Sequence, residues 1–258
     1  KSSAGATTVV NRDDRPAAVY QAMILWNKQF SRATMAGLQW FLGLRFWMIA
    51  LAILACFLIA AAAMRARPAK ARKTGVLYAI ATTGFFGMAM SLALIFSFQI
   101  NCGYVYRMVG MLTAMFMAGA AAGGIASRYV LKTSTRQAGA LAAIELAACI
   151  FCVILFFIMQ RWASALLVAP LYAGLCFISG AFVGAEFPLA VSIYRNDKNT
   201  DAMAPAAVYA ADLAGGVAAA VLAGVILLPL TGIAFFMLGL ALLKASGAMI
   251  AIIIKNTK

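Results

Sequence analysis

Histidine is absent from all 258 residues, and only seven residues are acidic. The first absence removes the usual axial ligand of a b-type haem and the commonest protein ligand for metals. A di-haem cytochrome is therefore excluded, and no cofactor is expected. Charge of either sign is scarce too, at 11% of the chain, whereas 65% is hydrophobic and the mean hydropathy is +0.95. A soluble domain does not have that balance, so the sequence reads as an all-α integral membrane protein.

At roughly 20 to 30 residues per spanning helix and its connection, about seven or eight crossings fit in this length. Apolar runs occur at 41–64, 75–98, 108–127, 138–159, 163–185, 205–228 and 233–254, which predicts a bundle of seven transmembrane helices over 41–258. The basic residues, 21 in all, gather at the ends of these runs rather than along one face. That distribution fits positive-inside topology and argues against a nucleic-acid partner. The segment RARPAKARK, the region of Arg128, Lys132 and Arg136, the pair Arg195 and Lys198, and Lys255 with Lys258 alternate with the near-neutral turns FQINCGY, QRWAS and LPLTG. They place the C-terminus on the cytoplasmic side of an inner (cytoplasmic) membrane.

Residues 1–40 form a tail in which Val19, Met23, Trp26 and Phe30 share one helical face while Gln21, Lys28, Arg32 and Gln39 take the other. That pattern predicts an amphipathic helix lying at the outer interface. Trp40, Trp47 and Trp162 are expected at the same level as an aromatic belt. Lys1 in place of Met suggests a processed or incomplete N-terminus. Of five cysteines, Cys149 and Cys152 have CxxC spacing but lie inside AACIFCVILFFIM without a second pair, so packing is the expectation. Gly119 with Gly123, Gly180 with Gly184, and Gly216 with Ala220 and Gly224 recur at four-residue spacing, which lets helix backbones approach closely.

The chemistry is sought in the ionisable residues inside the apolar runs, because charge in hydrocarbon is costly without a partner or a wet cavity. Glu145 and Asp212 lie roughly 10 to 13 Å from the cytoplasmic ends of their runs, and Glu186 near the inner rim. Lys244, roughly 15 Å deep in the last run, is placed to pair with Asp212 or Glu145. One lysine cannot pair closely with three carboxylates, which leaves negative field for a proton or a cationic ligand. Pro188, directly after Phe187, is expected to break its helix beside Glu186, a usual way to build a membrane binding site. A retinal protein is disfavoured: the third run contains no acid, and Leu240 stands four residues before Lys244.

Three stretches, GFFGMAMSLALIFSFQINCGYVYRMVGMLTAMFMAG (84–119), GAEFPLA (184–190) and VYAADLAGGVAAAVLAGVILLPLTG (208–232), resemble the membrane domain of spermidine-synthase-like membrane proteins, major-facilitator-like regions fused to a synthase domain. The last is the most specific, with Tyr209, Asp212, Gly216, Gly224 and Pro229. Ser91 stands where that pattern often has a glutamate. The glycine-rich turns and paired aspartates of the catalytic domain are not in this sequence, so the chain is read as non-enzymatic.

The resemblance implies a polytopic subunit that binds or transports a small cationic or amphiphilic ligand. Glu145, Glu186, Asp212, Tyr209 and Lys244 are its candidate site. The alternative is a haem-free membrane anchor of a respiratory or electron-transfer complex, holding a quinone with Gln99, Asn101, Tyr104 and Arg107. Expected partners are the lipid bilayer and membrane or periplasmic proteins.

Overall fold

A computed structural model describes residues 46–102, 106–133, 137–161, 169–195 and 203–256. The described residues are helical almost throughout, as hydrocarbon requires of a chain that must satisfy its own backbone hydrogen bonds. The helices are α1 (Phe46–Ala66), α2 (Pro68–Cys102), α3 (Tyr106–Thr133), α4 (Gln137–Arg161), α5 (Ala169–Tyr194), α6 (Ala204–Val221) and α7 (Leu228–Asn256). A π-helical turn, Leu222–Leu227, joins the last two. Six continuous stretches are long and apolar enough to cross a membrane. The amphipathic segment, Trp40, Trp162 and Tyr104 lie outside the described residues.

The sixth stretch, Ala204–Asn256, would be about 80 Å long if straight, far more than a bilayer's hydrocarbon core. It is not straight. Gly232 has φ 70° and ψ 164°, a left-handed backbone setting that glycine alone adopts easily, and it breaks the helix inside LPLTG. On the near side of the break, Gly215 lies against Ala81 and Phe85 of α2, and Gly224 against Leu92. On the far side, Lys244 reaches Thr83, and Ile250 and Ile254 lie against Gly75. Thus α6 runs parallel to α2 and α7 antiparallel to it. Pro229 contributes to the disturbance, since it gives no N–H to the preceding turn and its ring crowds the carbonyl four residues back. A π-turn widens the helix at that point. Thr231 donates its hydroxyl to the Leu227 carbonyl at 2.8 Å, one turn back.

Two helices outrun the apolar runs that announced them. The basic segment RARPAKARK is not a loop: the only interruption is at Arg67, and α2 starts at Pro68. Proline suits a first helical position, and Ala, Lys and Arg are strong helix formers. Likewise α5 continues through Pro188 to Tyr194, so the expected helix break beside Glu186 is not present. Proline within a membrane helix is tolerated where neighbouring helices enclose the freed carbonyl. That carbonyl belongs to Gly184, which faces Gly124 of α3.

Helix α2 is the axis of the bundle, packing against α1, α5, α6 and α7, while α3 leans on α5 and α4 on α7. Close approach is achieved by glycine. A Cβ on Gly119 or Gly123 of α3 would collide with the carbonyls of Phe177 or Ala181, and one on Gly180 or Gly184 of α5 with those of Phe116 or Ala120. The expected third glycine face is displaced by one residue. Gly215 and Ala219 on α6 and Ala223 in the π-helical turn are the buried series, and Gly215 touches the Ala81 carbonyl, whereas Gly216 is only half-buried. Large apolar side chains such as Trp47, Ile59, Ile125 and Val217 point outward, where lipid would cover them.

The core is divided along its length. One apolar cluster contains Phe86, Met90, Phe98, Leu155, Tyr172, Met237 and Leu240, and the other contains Val76, Ile80, Leu141, Ile193, Val208 and Ile250. On α2, α4, α5 and α7 alike, a polar residue separates the two clusters: Thr83, Glu145, Glu186 and Lys244 respectively.

Candidate functional site

These four side chains meet in one layer sealed from solvent. Glu145, Glu186 and Lys244 have no exposed surface, and Thr83 retains 1%. The ammonium nitrogen of Lys244 lies 3.0 Å from Glu186 Oε1, 3.1 Å from Glu186 Oε2 and 3.0 Å from Thr83 Oγ1. Of the three hydrogens a lysine can donate, the two Glu186 oxygens share one, Thr83 can take a second, and the third is uncommitted. Thr83 in turn faces both the Ala79 carbonyl at 2.9 Å and Glu186 Oε2, with one hydrogen to give. Glu186 is thus held on both oxygens, as an ionised carboxylate requires.

Glu145 is held differently. Its Oε2 is 2.9 Å from Lys244 Nζ, an ion-pair distance, but neither of its oxygens makes a hydrogen bond. The space beside it is closed by Gly247, where an added Cβ would come within 2.6 Å of Oε2 and 2.8 Å of Oε1. On the other side the Phe86 ring centroid stands 5.2 Å from Lys244 Nζ, a cation–π distance. Two residues further along α7, Ser246 and Tyr78 are linked at 2.8 Å, tying α7 to α2 beside the ionic layer.

Of the residues read from sequence, the fold joins Lys244 to Glu145, as expected, and also to Glu186. It does not join Lys244 to Asp212. Glu186 is not at the inner rim but in the same layer as Glu145, because α5 extends past Pro188 and carries it inward. Asp212 lies half-buried on α6 with its carboxylate beside Gly84 of α2, next in sequence to Thr83. Among the described residues it has no ion pair or hydrogen bond, although Glu186 and Lys244 lie within electrostatic reach. Tyr209 is 55% exposed on the outer side of α6 and forms no wall of the layer. Phe187 packs against the apolar cluster that contains Val76, Ile80 and Ile250.

Of the alternative quinone contacts, Asn101 is already engaged within the bundle. Asn101 donates to Tyr172 Oη at 2.9 Å and to the Ser97 carbonyl at 2.9 Å, while Ser97 and Tyr172 are themselves linked at 2.9 Å. Gln99 is half-buried and Arg107 exposed. Thr83, Tyr172 and Ser97 escaped the sequence reading because small hydroxyls in apolar runs carry no spacing signal. The doublet Thr82–Thr83 in an otherwise apolar run was the one trace of the first. Cys152 is buried in the core one turn from the half-buried Cys149, and both are free thiols.

No family description, curated protein or solved structure matches this chain.

Proposed function

We propose that the chain is a seven-crossing, non-enzymatic inner-membrane protein that binds or transports a small cationic or amphiphilic ligand. The seven crossings count the Gly232 hairpin as two, and the basic flanks orient the C-terminus towards the cytoplasm. The observation that carries the reading is the surplus of carboxylate at one depth. Lys244 is engaged by Glu145 and Glu186, which leaves Asp212 half-exposed and without a counter-charge among the described residues. An unpaired acid at a membrane helix interface is the kind of group that receives a cation. The likeness of 208–232 to the spermidine-synthase-like membrane domain supports the same choice, and suggests a polyamine as the first probe.

Uptake of radiolabelled spermidine into proteoliposomes is the direct test. Wild-type protein is expected to accumulate or bind the probe, and Asp212→Asn, close to isosteric, is expected to lose that ability while keeping its thermal stability in detergent. If wild type neither binds nor moves spermidine or a long-chain amine, and purifies in gentle detergent with haem-containing subunits, the chain is an anchor instead.

A further inference from the structure

We infer that the layer formed by Thr83, Glu145, Glu186 and Lys244 holds one exchangeable proton, seated on the Glu145 carboxyl. Charge balance is the first argument. With every group ionised, one ammonium faces two carboxylates and the layer has a formal charge of −1, sealed between two apolar clusters. An uncompensated charge in such surroundings is expensive, and one added proton removes it.

Hydrogen bonding says where the proton goes. Glu186 faces Lys244 with both oxygens and meets Thr83 with one of them, so it is the fixed counter-ion. Glu145, fully buried and without a hydrogen bond on either oxygen, is the carboxylate with nothing to stabilise its charge except proximity to the ammonium. The titratable groups facing it are Lys244 from α7, Glu186 from α5, Tyr78 from α2 and Cys149 on its own helix. A metal ion does not fit the same place. The ammonium at 2.9 Å repels a second cation, and Gly247 packs too closely to admit coordinating waters. The step is a simple protonation: a proton from water converts the Glu145 carboxylate to a carboxylic acid, and the layer goes from −1 to neutral.

As the ion that accompanies a transported ligand, this proton rests on the reading above; as an occupant of the layer, it is testable without any ligand. Infrared difference spectra of reconstituted wild-type protein at neutral pH are expected to show the carbonyl stretch of a protonated carboxylic acid, shifting in D2O. The band should vanish in Glu145→Gln. It should also vanish in Glu186→Gln, because Lys244 then needs Glu145 as its only counter-charge. It should survive in Asp212→Asn. Absence of the band from wild type overturns the proposal without recourse to any variant. Its persistence in Glu145→Gln or Glu186→Gln, or its loss in Asp212→Asn, overturns it as well. A band without spermidine uptake would sink the ligand reading alone, and uptake without a band would sink the proton alone.

Discussion

Replacing Lys244 by methionine is the most informative single perturbation of this bundle, because the two carboxylates it touches should respond unequally. At 3.0 Å and an effective dielectric of about 20, the attraction between Lys244 and Glu186 is about 5 kcal/mol, and breaking a buried pair from one side costs about 3 to 5 kcal/mol net. Lys244→Met alone should therefore destabilise the protein by several kcal/mol, since Glu186 loses its counter-charge in an apolar interior. Adding Glu186→Gln removes that stranded charge and should recover about 2 kcal/mol or more, which appears as a coupling energy in a double-mutant cycle. Adding Glu145→Gln should recover almost nothing, because a protonated Glu145 already behaves as a neutral group. The pair Lys244→Met with Asp212→Asn should couple by no more than about 0.5 kcal/mol, since no ion pair joins those residues. The assay is reversible unfolding in mixed micelles, titrated with SDS and followed by circular dichroism. Equal rescue by the two glutamine substitutions would refute the distinction between Glu145 and Glu186. A large coupling to Asp212 would refute its separation from the layer.

Two further outcomes follow from packing and charge. Gly215→Leu and Gly180→Leu should both reduce the yield of folded protein sharply, with Gly216→Leu milder and Gly110→Leu or Gly239→Leu near wild type, because an added Cβ meets backbone at the first two positions and nothing within 4 Å at the last two. Equal yields for Gly215→Leu and Gly239→Leu would contradict the α2–α6 contact. Single cysteines placed near Lys70, Lys132 and Lys198 should react only with thiol reagents that enter the cytoplasm, and labelling of the first two from outside would invert the topology.

What the sequence revealed depended on whether a residue type has a fixed meaning in hydrocarbon. The glycines of α3 and α5 are legible as close-packing positions because four-residue spacing puts each pair on one helix face, but that these two helices meet each other is visible only in the fold. The α6 face was misread by one position, since Gly215–Ala219–Ala223 and Gly216–Ala220–Gly224 are both unbroken small-residue series. Only the contact with Ala81 decides between them. Depth alone offers Lys244 either Glu145 or Asp212, and only the fold chooses Glu145 and adds Glu186. Glu186 was misplaced because Pro188 reads as a helix end, whereas packing against α3 allows α5 to run through it. The Gly232 turn was anticipated from LPLTG, since Pro and Gly together are poor helix material wherever they occur.

The ionic layer also has a history within each molecule's synthesis. Glu145 and Glu186 enter the membrane on α4 and α5, but their counter-ion arrives only with α7, 58 residues after Glu186. At roughly 5 to 20 residues per second, the nascent chain spends several seconds with two acids in the membrane and no ammonium to pair with them. Any chain that stops before Lys244 keeps that defect permanently. The last helix therefore closes the polar layer, since a chain cut short before it keeps both acids without their ammonium, and a finished one pairs them as α7 packs on α2.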